Sequence, residues 1–184
     1  MSTTLIIVLA VLLLFVLWLI SAQRKLVSAD EIVKNSLSQI GVQQNSRWDA
    51  LTALVDLTKG YDEHEYKTLM DVVAQRTAIG RNASVSDVQA QEAKLAEVVR
   101  HINVVAEQYP ALKASEMYGK TMDSVNTYEN QVRMSRMVYN DAVTKFNRMV
   151  RQFPDSIVAS LFHFVLRDYL QVNESKTEIP SMKF

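Results

Sequence analysis

The chain has 184 residues, enough for one modest domain beside a membrane segment and little more. Its 20 Lys and Arg balance 20 Asp and Glu, so no broad basic surface points to a nucleic-acid partner. There is no Cys, which excludes disulfides and thiol chemistry and leaves the redox compartment open; the 4 Gly and 3 Pro suit long helices joined by short turns.

From Leu5 to Ile20 every side chain is apolar, and no charged side chain precedes Arg24. With Thr4, Ser21 and Ala22 this makes about 19 residues, enough to cross about 30 Å of hydrocarbon as a helix. A lone span must satisfy its backbone internally, so a helix is required. The alternative is a cleaved signal peptide, for which Ile20-Ser21-Ala22 offers a small-residue site. The leader lacks Lys and Arg, and the apolar run exceeds the usual ~7–15 residues, which favours a retained anchor. Arg24, Lys25 and Lys34 follow the span, while Met1 to Thr4 carry no such charge. That bias predicts a single-pass cell-membrane protein with its N-terminus outside and its body in the cytoplasm.

Beyond Arg24 the helical pattern continues. Val33, Leu37, Ile40, Gln44, Arg47, Leu51, Leu54, Thr58 and Tyr61 keep alternating four-and-three spacing, so anchor and first soluble helix are expected to form one rod. Its stripe turns polar at Gln44 and Arg47, beside Trp48 and Asp49. Gly60 and Asp62 read as a stop and a start, with Glu65 completing a capping pair. A second helix is expected from about Glu63 to Ile79, with Leu69, Val72 and Val73 inward. Ser86 is the expected N-cap of a third, which presents Val88, Leu95, Val98, Ile102, Val105 and Tyr109 and stops before Pro110. In the fourth, Tyr118, Met122, Val125, Tyr128, Val132, Ser135, Tyr139, Ala142, Phe146, Met149 and Phe153 repeat at heptad spacing, as in a coiled-coil or bundle seam. Pro154 ends it.

Residues Ile157 to Leu170 are apolar but too short to span. As a helix begun by Asp155 or Ser156, they would show Ile157, Val158, Leu161, Phe162, Val165 and Leu166 on one face, with His163, Arg167 and Asp168 toward water. Membrane contact is the favoured reading of that face; a lid on the helices or a contact with another copy are the alternatives. The organisation is thus an anchor at 1–25, helices at 26–153, an apolar membrane-proximal segment at 154–172 and an extended tail at 173–184. The fold class is all-α: an N-terminal transmembrane helix followed by an antiparallel four-helix bundle.

Few residues suggest chemistry. Asp62, Glu63, His64 and Glu65 group three carboxylates with an imidazole, but Thr68 stands where a metalloprotease would have its second His. Acids at a helix start also complement its dipole, and that reading is favoured. His101 and His163 are remote in sequence, and no metal, catalytic or cofactor-binding residues are assigned. No GxSxG, P-loop or GxGxxG occurs. Tyr139-Asn140 and Phe146-Asn147 form a seven-residue repeat preceded by Glu129, Arg133 and Arg136. Here the aromatics are expected in the core and the Asn residues as hydrogen-bonding flanks, with Arg47 or Asp49 as possible polar partners. Asn82-Ala83-Ser84 and Asn173-Glu174-Ser175 match glycosylation acceptors, relevant only in a secretory compartment.

Several segments together resemble the LemA family of bacterial membrane proteins: SRWDALTALVDLTKGYDEHE at 46–65, AEQYPALKASEMY at 106–118, TYENQVRMSRMVYNDAVTKFN at 127–147, FPDSIVASLFHF at 153–164 and the terminal EIPSMKF. Ser46 departs from the first of two Arg usual in the family, and Thr52 from a frequent Pro. The resemblance implies one N-terminal membrane helix and a four-helix bundle, and no known enzyme activity, substrate or cofactor. The resulting expectation is a membrane-anchored scaffold or interaction protein, not an enzyme. Its expected partners are the lipid bilayer and another protein or a second copy; nucleic acid is not expected, and a small-molecule ligand stays open. A lipid-organising surface module is the alternative, and a metal-dependent enzyme using residues 62–65 the least favoured.

Overall fold

The computed structural model describes residues 3–61, 63–76, 79–80 and 83–170. They are helical, with no strand among the described residues: α1 (Thr3–Thr58), α2 (Glu63–Ala74), α3 (Val85–Gln108), α4 (Pro110–Lys113), α5 (Glu116–Arg151) and α6 (Asp155–Leu161). The Asp62 cap, the Asn82 acceptor and the tail at 173–184 lie outside the described residues.

α1 is one unbroken helix of 56 residues, about 84 Å long at 1.5 Å per residue. It contains a stretch long and apolar enough to cross a membrane. Leu5 to Leu17 are exposed all round, whereas from Ala22 onward one stripe is buried through Leu26, Val33, Ile40, Leu51 and Leu54. Thr52 stands where a helix-bending Pro is frequent, and its Oγ1 donates back to the Trp48 carbonyl at 2.9 Å. Unlike Pro, Thr52 keeps its backbone N–H for the helix, and the rod passes this point intact.

The end of α2 differs from expectation. The helix stops at Ala74, where the Gln75 and Arg76 N–H groups donate to the Val72 and Val73 carbonyls in i→i+3 bonds. Lys94 of α3 then donates to the freed Gln75 carbonyl at 3.0 Å, and Arg76 pairs with Asp49 of α1 at 2.6 Å. Ile79 packs on α1 at Gly41, where an added Cβ would lie 2.5 Å from Ile79 Cγ2. Gly41 is thus a notch for a close approach.

α3 is capped two residues earlier than expected. Ser84, not Ser86, is the N-cap: its Oγ accepts from the Asp87 N–H at 3.2 Å, and the Asp87 carboxylate accepts from the Ser84 N–H at 2.8 Å. The Ser84 hydroxyl and backbone bonds hold the Asp87 carboxyl below the usual carboxylate range. Ser86 lies within the first turn. Between α3 and α5, Pro110 opens the short α4, which buries Leu112.

α5 runs back along α1, and the core forms two clusters. At the far end Trp48, Leu51, Leu54 and Val55 pack with Leu95, Ile102, Tyr118 and Val125. At the span end Ala22, Leu26, Val33 and Ile40 pack with Val132, Tyr139, Val143, Phe146, Val158 and Leu170. The heptad seam of α5 is buried or half-buried as far as Met149. Phe153 leaves it: the helix ends at Arg151, Gln152 is extended, and Phe153 is 76% exposed.

The segment Ile157–Leu170 is not one helix. α6 ends at Leu161, His163 takes a positive φ of 59°, and the chain continues as an extended strap to Leu170. Val158, expected on the outer face, is buried in the span-end core.

Candidate functional site

Of the residues grouped by sequence at 62–65, Glu63, His64 and Glu65 are among the described residues. Glu63 and Glu65 sit in the first turn of α2, where carboxylates complement the helix dipole, and His64 is exposed beside them. His101 lies on α3 and His163 beyond α6. Among the described residues no three His, Asp or Glu side chains converge in a way that would hold a metal ion.

A charged layer crosses the body between the two apolar clusters. Arg47 of α1 donates from Nη1 to Glu92 of α3 and from Nη2 to Glu129 of α5, both at 3.1 Å. Gln44 Nε2 donates to Glu92 at 3.0 Å and to the Val88 carbonyl at 3.1 Å. Arg136 of α5 lies 3.6 Å from Glu92. The Arg47 side chain is only 4% exposed. Its charge is therefore held by two carboxylates on two different helices, as a buried ion requires. Arg47 was expected to meet polar groups of the last long helix, and it does through Glu129. Asp49, the other candidate, pairs with Arg76 instead.

The second constellation is a ladder of two Asn residues that clamps the strap to α5. Asn147 donates from Nδ2 to the Arg167 carbonyl at 2.9 Å and accepts from the Arg167 N–H at 2.8 Å. Asn140 does the same for Leu170, at 3.0 Å in both directions. Each amide thus satisfies one residue's backbone as a neighbouring strand would. The spacing explains the fit: seven helical residues rise about 10.5 Å, and three extended residues cover about 10 Å. The Tyr139 hydroxyl donates to the Asp168 carbonyl at 2.8 Å, and burial pushes its pKa up. Arg167 then reaches α1, donating from Nε and Nη2 to Asp30 Oδ1 at 2.9 and 2.6 Å. Asp30 also pairs with Lys34 at 3.0 Å, which raises the Lys34 pKa. The sequence singled out this Asn repeat but not its partner. A seven-residue Asn spacing beside a seam, followed by an aperiodic apolar run, is the signal that could have found it.

The third feature is the surface at the span end. Ile157, Leu161, Phe162 and Val165 are 55, 59, 45 and 65% exposed, beside Phe153. Trp18 and Leu19, still within the apolar run of α1, pack against the core at this end. A groove of about 640 Å³ joins Leu17 and Ile20 to Arg24, Lys25 and Met149.

These features define a class: an all-helical body continuous with one candidate membrane span. The LemA family model matches residues 36–184, and the chain belongs to the LemA family. It is also similar to Protein LemA of Metamycoplasma hominis, 27% identical over 129 residues, which are 69% of this chain. The match spans 58% of that relative's length, under two thirds of it.

Proposed function

We propose that the chain is a single-pass membrane protein whose antiparallel four-helix bundle, built from α1, α2, α3 and α5, presents an interaction surface at a fixed height above the bilayer. The observation that carries this reading is the outward face of α5. Met134, Met137 and Val138, spaced i, i+3 and i+4, are 67, 64 and 58% exposed. An amphipathic helix with its seam already filled has no packing use for a second apolar stripe, and clustered exposed apolar side chains mark contact sites. Met side chains adapt to partners of varied shape. The occupant is a protein or a second copy of this chain. The balanced charge gives no support to nucleic acid, and the charged layer and Asn ladder have structural partners, so the proposal includes no catalysis.

The unbroken α1 supplies the rigidity. From Ala22 to Thr58 it rises about 54 Å, so the body moves with the span. The Arg24 and Lys25 charges beside the span favour a cytoplasmic body. The test uses the full chain in native membranes, with a photoreactive residue at Met137 or, as a control, at the exposed Ser124. Discrete adducts from Met137 alone, lost with Met134→Asp and Val138→Asp together, are expected. Equal yields from both positions, or adducts insensitive to those changes, would refute the stripe as the contact.

A further inference from the structure

We infer that the apolar face formed by Phe153, Ile157, Leu161, Phe162 and Val165 lies in the interface of the bilayer that α1 crosses, giving the chain a second membrane attachment beside its span. The inference rests on the membrane-anchored reading above. The apolar run Leu5–Ile20 rises about 24 Å as a helix, several ångströms short of a ~30 Å hydrocarbon layer. The span must therefore use the residues around Trp18 to Ala22 at the level of the lipid boundary. At that level the body already touches α1: Trp18 and Leu19 pack against the span-end core, Ala22 is part of it, and so are Val158 and Ala159 of α6. A helix seated there cannot be raised clear of the headgroups.

The side chains of this segment divide between core and surface. α6 turns Val158 and Ala159 into the core, at 0 and 1% exposure, and leaves Ile157 and Leu161 uncovered. Beyond it, Phe164 goes inward to Phe146, ring centroids 6.3 Å apart, while Phe162 and Val165 point out. The strap is fixed, so the outer set is held in place: Asn147 clamps Arg167, and Arg167 grips Asp30, about 9 Å along α1 from Arg24. Taken alone, the 157–170 segment is poor in Lys and Arg, but the fold supplies cations from other elements. Arg148 and Arg151 close the last turn of α5, and Arg24 and Lys25 follow the span; all four are exposed. Asp155, half-exposed in the first turn of α6, and Asp168, exposed on the strap, are the acids of the same segment. Arg24 and Lys25 line a groove with Met149 of α5, so an apolar patch shares its end of the body with four exposed cations, which suits lipid tails with anionic headgroups above them. A second copy would have to reach this patch at the level that headgroups already fill.

The chain has no Cys, so single-Cys variants carry a bimane label without background. The full-length protein is reconstituted into phosphatidylcholine–phosphatidylglycerol vesicles, with and without a lipid bearing a quencher near the top of its acyl chain. Labels at Leu161→Cys and, as a second site, Ile157→Cys should be quenched, as should one in the span at Leu17→Cys, while a far-end label at Ser124→Cys should not. Labels at 157 and 161 that match position 124 while position 17 is quenched would overturn the inference and leave the anchor standing. An unquenched label at 17 would overturn the anchored reading and the inference with it. Excimer emission from pyrene at position 161, without lipid quenching, would assign the face to a second copy and also overturn it.

Discussion

Replacing Arg47 by Met tests whether the charged layer is held as an ion network. The substitution keeps the length of the buried stem and removes a charge that reaches two carboxylates at 3.1 Å. Breaking a buried pair from one side costs about 3–5 kcal/mol, because the remaining charge loses its compensation inside the protein. Here the loss belongs at the low end. The Glu92 and Glu129 side chains are 18 and 25% exposed, Glu92 keeps Gln44 at 3.0 Å and Arg136 at 3.6 Å, and Glu129 keeps Arg133 at 3.8 Å. A destabilisation of about 3 kcal/mol follows. Neutralising the acids as well, in Arg47→Met with Glu92→Gln and Glu129→Gln, removes the stranded charges and should bring the cost to about 1 kcal/mol or less. Guanidinium unfolding of the full chain in detergent, followed by fluorescence of the fully buried Trp48, measures both. If the single variant loses under about 1 kcal/mol, or the triple variant is no better than the single, the layer is not held by charge pairing.

Two further outcomes concern the strap. Asn147→Ala should release it locally: amide exchange in residues 164–170 should accelerate while protection of α3 is unchanged, and unaltered exchange would show that the Asn ladder does not hold the strap. Tyr139→Phe should cost about 1 kcal/mol at neutral pH through loss of its bond to the Asp168 carbonyl. The Tyr139 pKa is raised in the folded protein, so its contribution is complete below the ordinary Tyr value near 10 and declines as pH climbs through the folded value. The gap between wild type and Tyr139→Phe should therefore narrow in alkaline urea titrations, and a gap that widens there would contradict the assignment.

What the sequence made legible was whatever depended on periodicity within one helix. The single rod of α1, the buried stripe of α3 from Val88 to Val105 and the α5 seam to Met149 all follow from apolar residues returning to one face. Elements decided by distant partners were not legible. IVASLFHFVLRDYL is nearly all apolar, so no period separates a helix from an extended run. Its outcome is set by Asn140 and Asn147, 20 to 30 residues back, and by Asp30, 137 residues away. The early end of α2 is similar, for Lys94 and Asp49 secure a turn whose own residues could equally have continued the helix. Of the candidate sites, the Asn repeat was visible as a pattern, and the cations around α6 were not, because they come from α1 and α5.

The position of the charged layer also answers a problem that a heptad seam creates. Apolar seams tolerate sliding by seven residues, since one apolar seam position then replaces another. The charged layer does not. Moving α5 by one heptad brings either Arg136 or Met122 to the place of Glu129 beside Arg47. The first sets two guanidinium groups together, a repulsion of about 4 kcal/mol at 4 Å in a medium of effective dielectric 20. The second leaves a buried cation facing a thioether. Sliding α3 by seven puts Val85 or Val99 where Glu92 stood, with the same result. One Arg on the rod thus fixes the height of two other helices against it. Because α1 is continuous with the candidate span, the same Arg also fixes how far along the rod α5 stands, and with it α6, which packs on α1 and α5. The polar interruption in an otherwise apolar stripe costs local stability, and in return it ties the register of α3 and α5 to the rod.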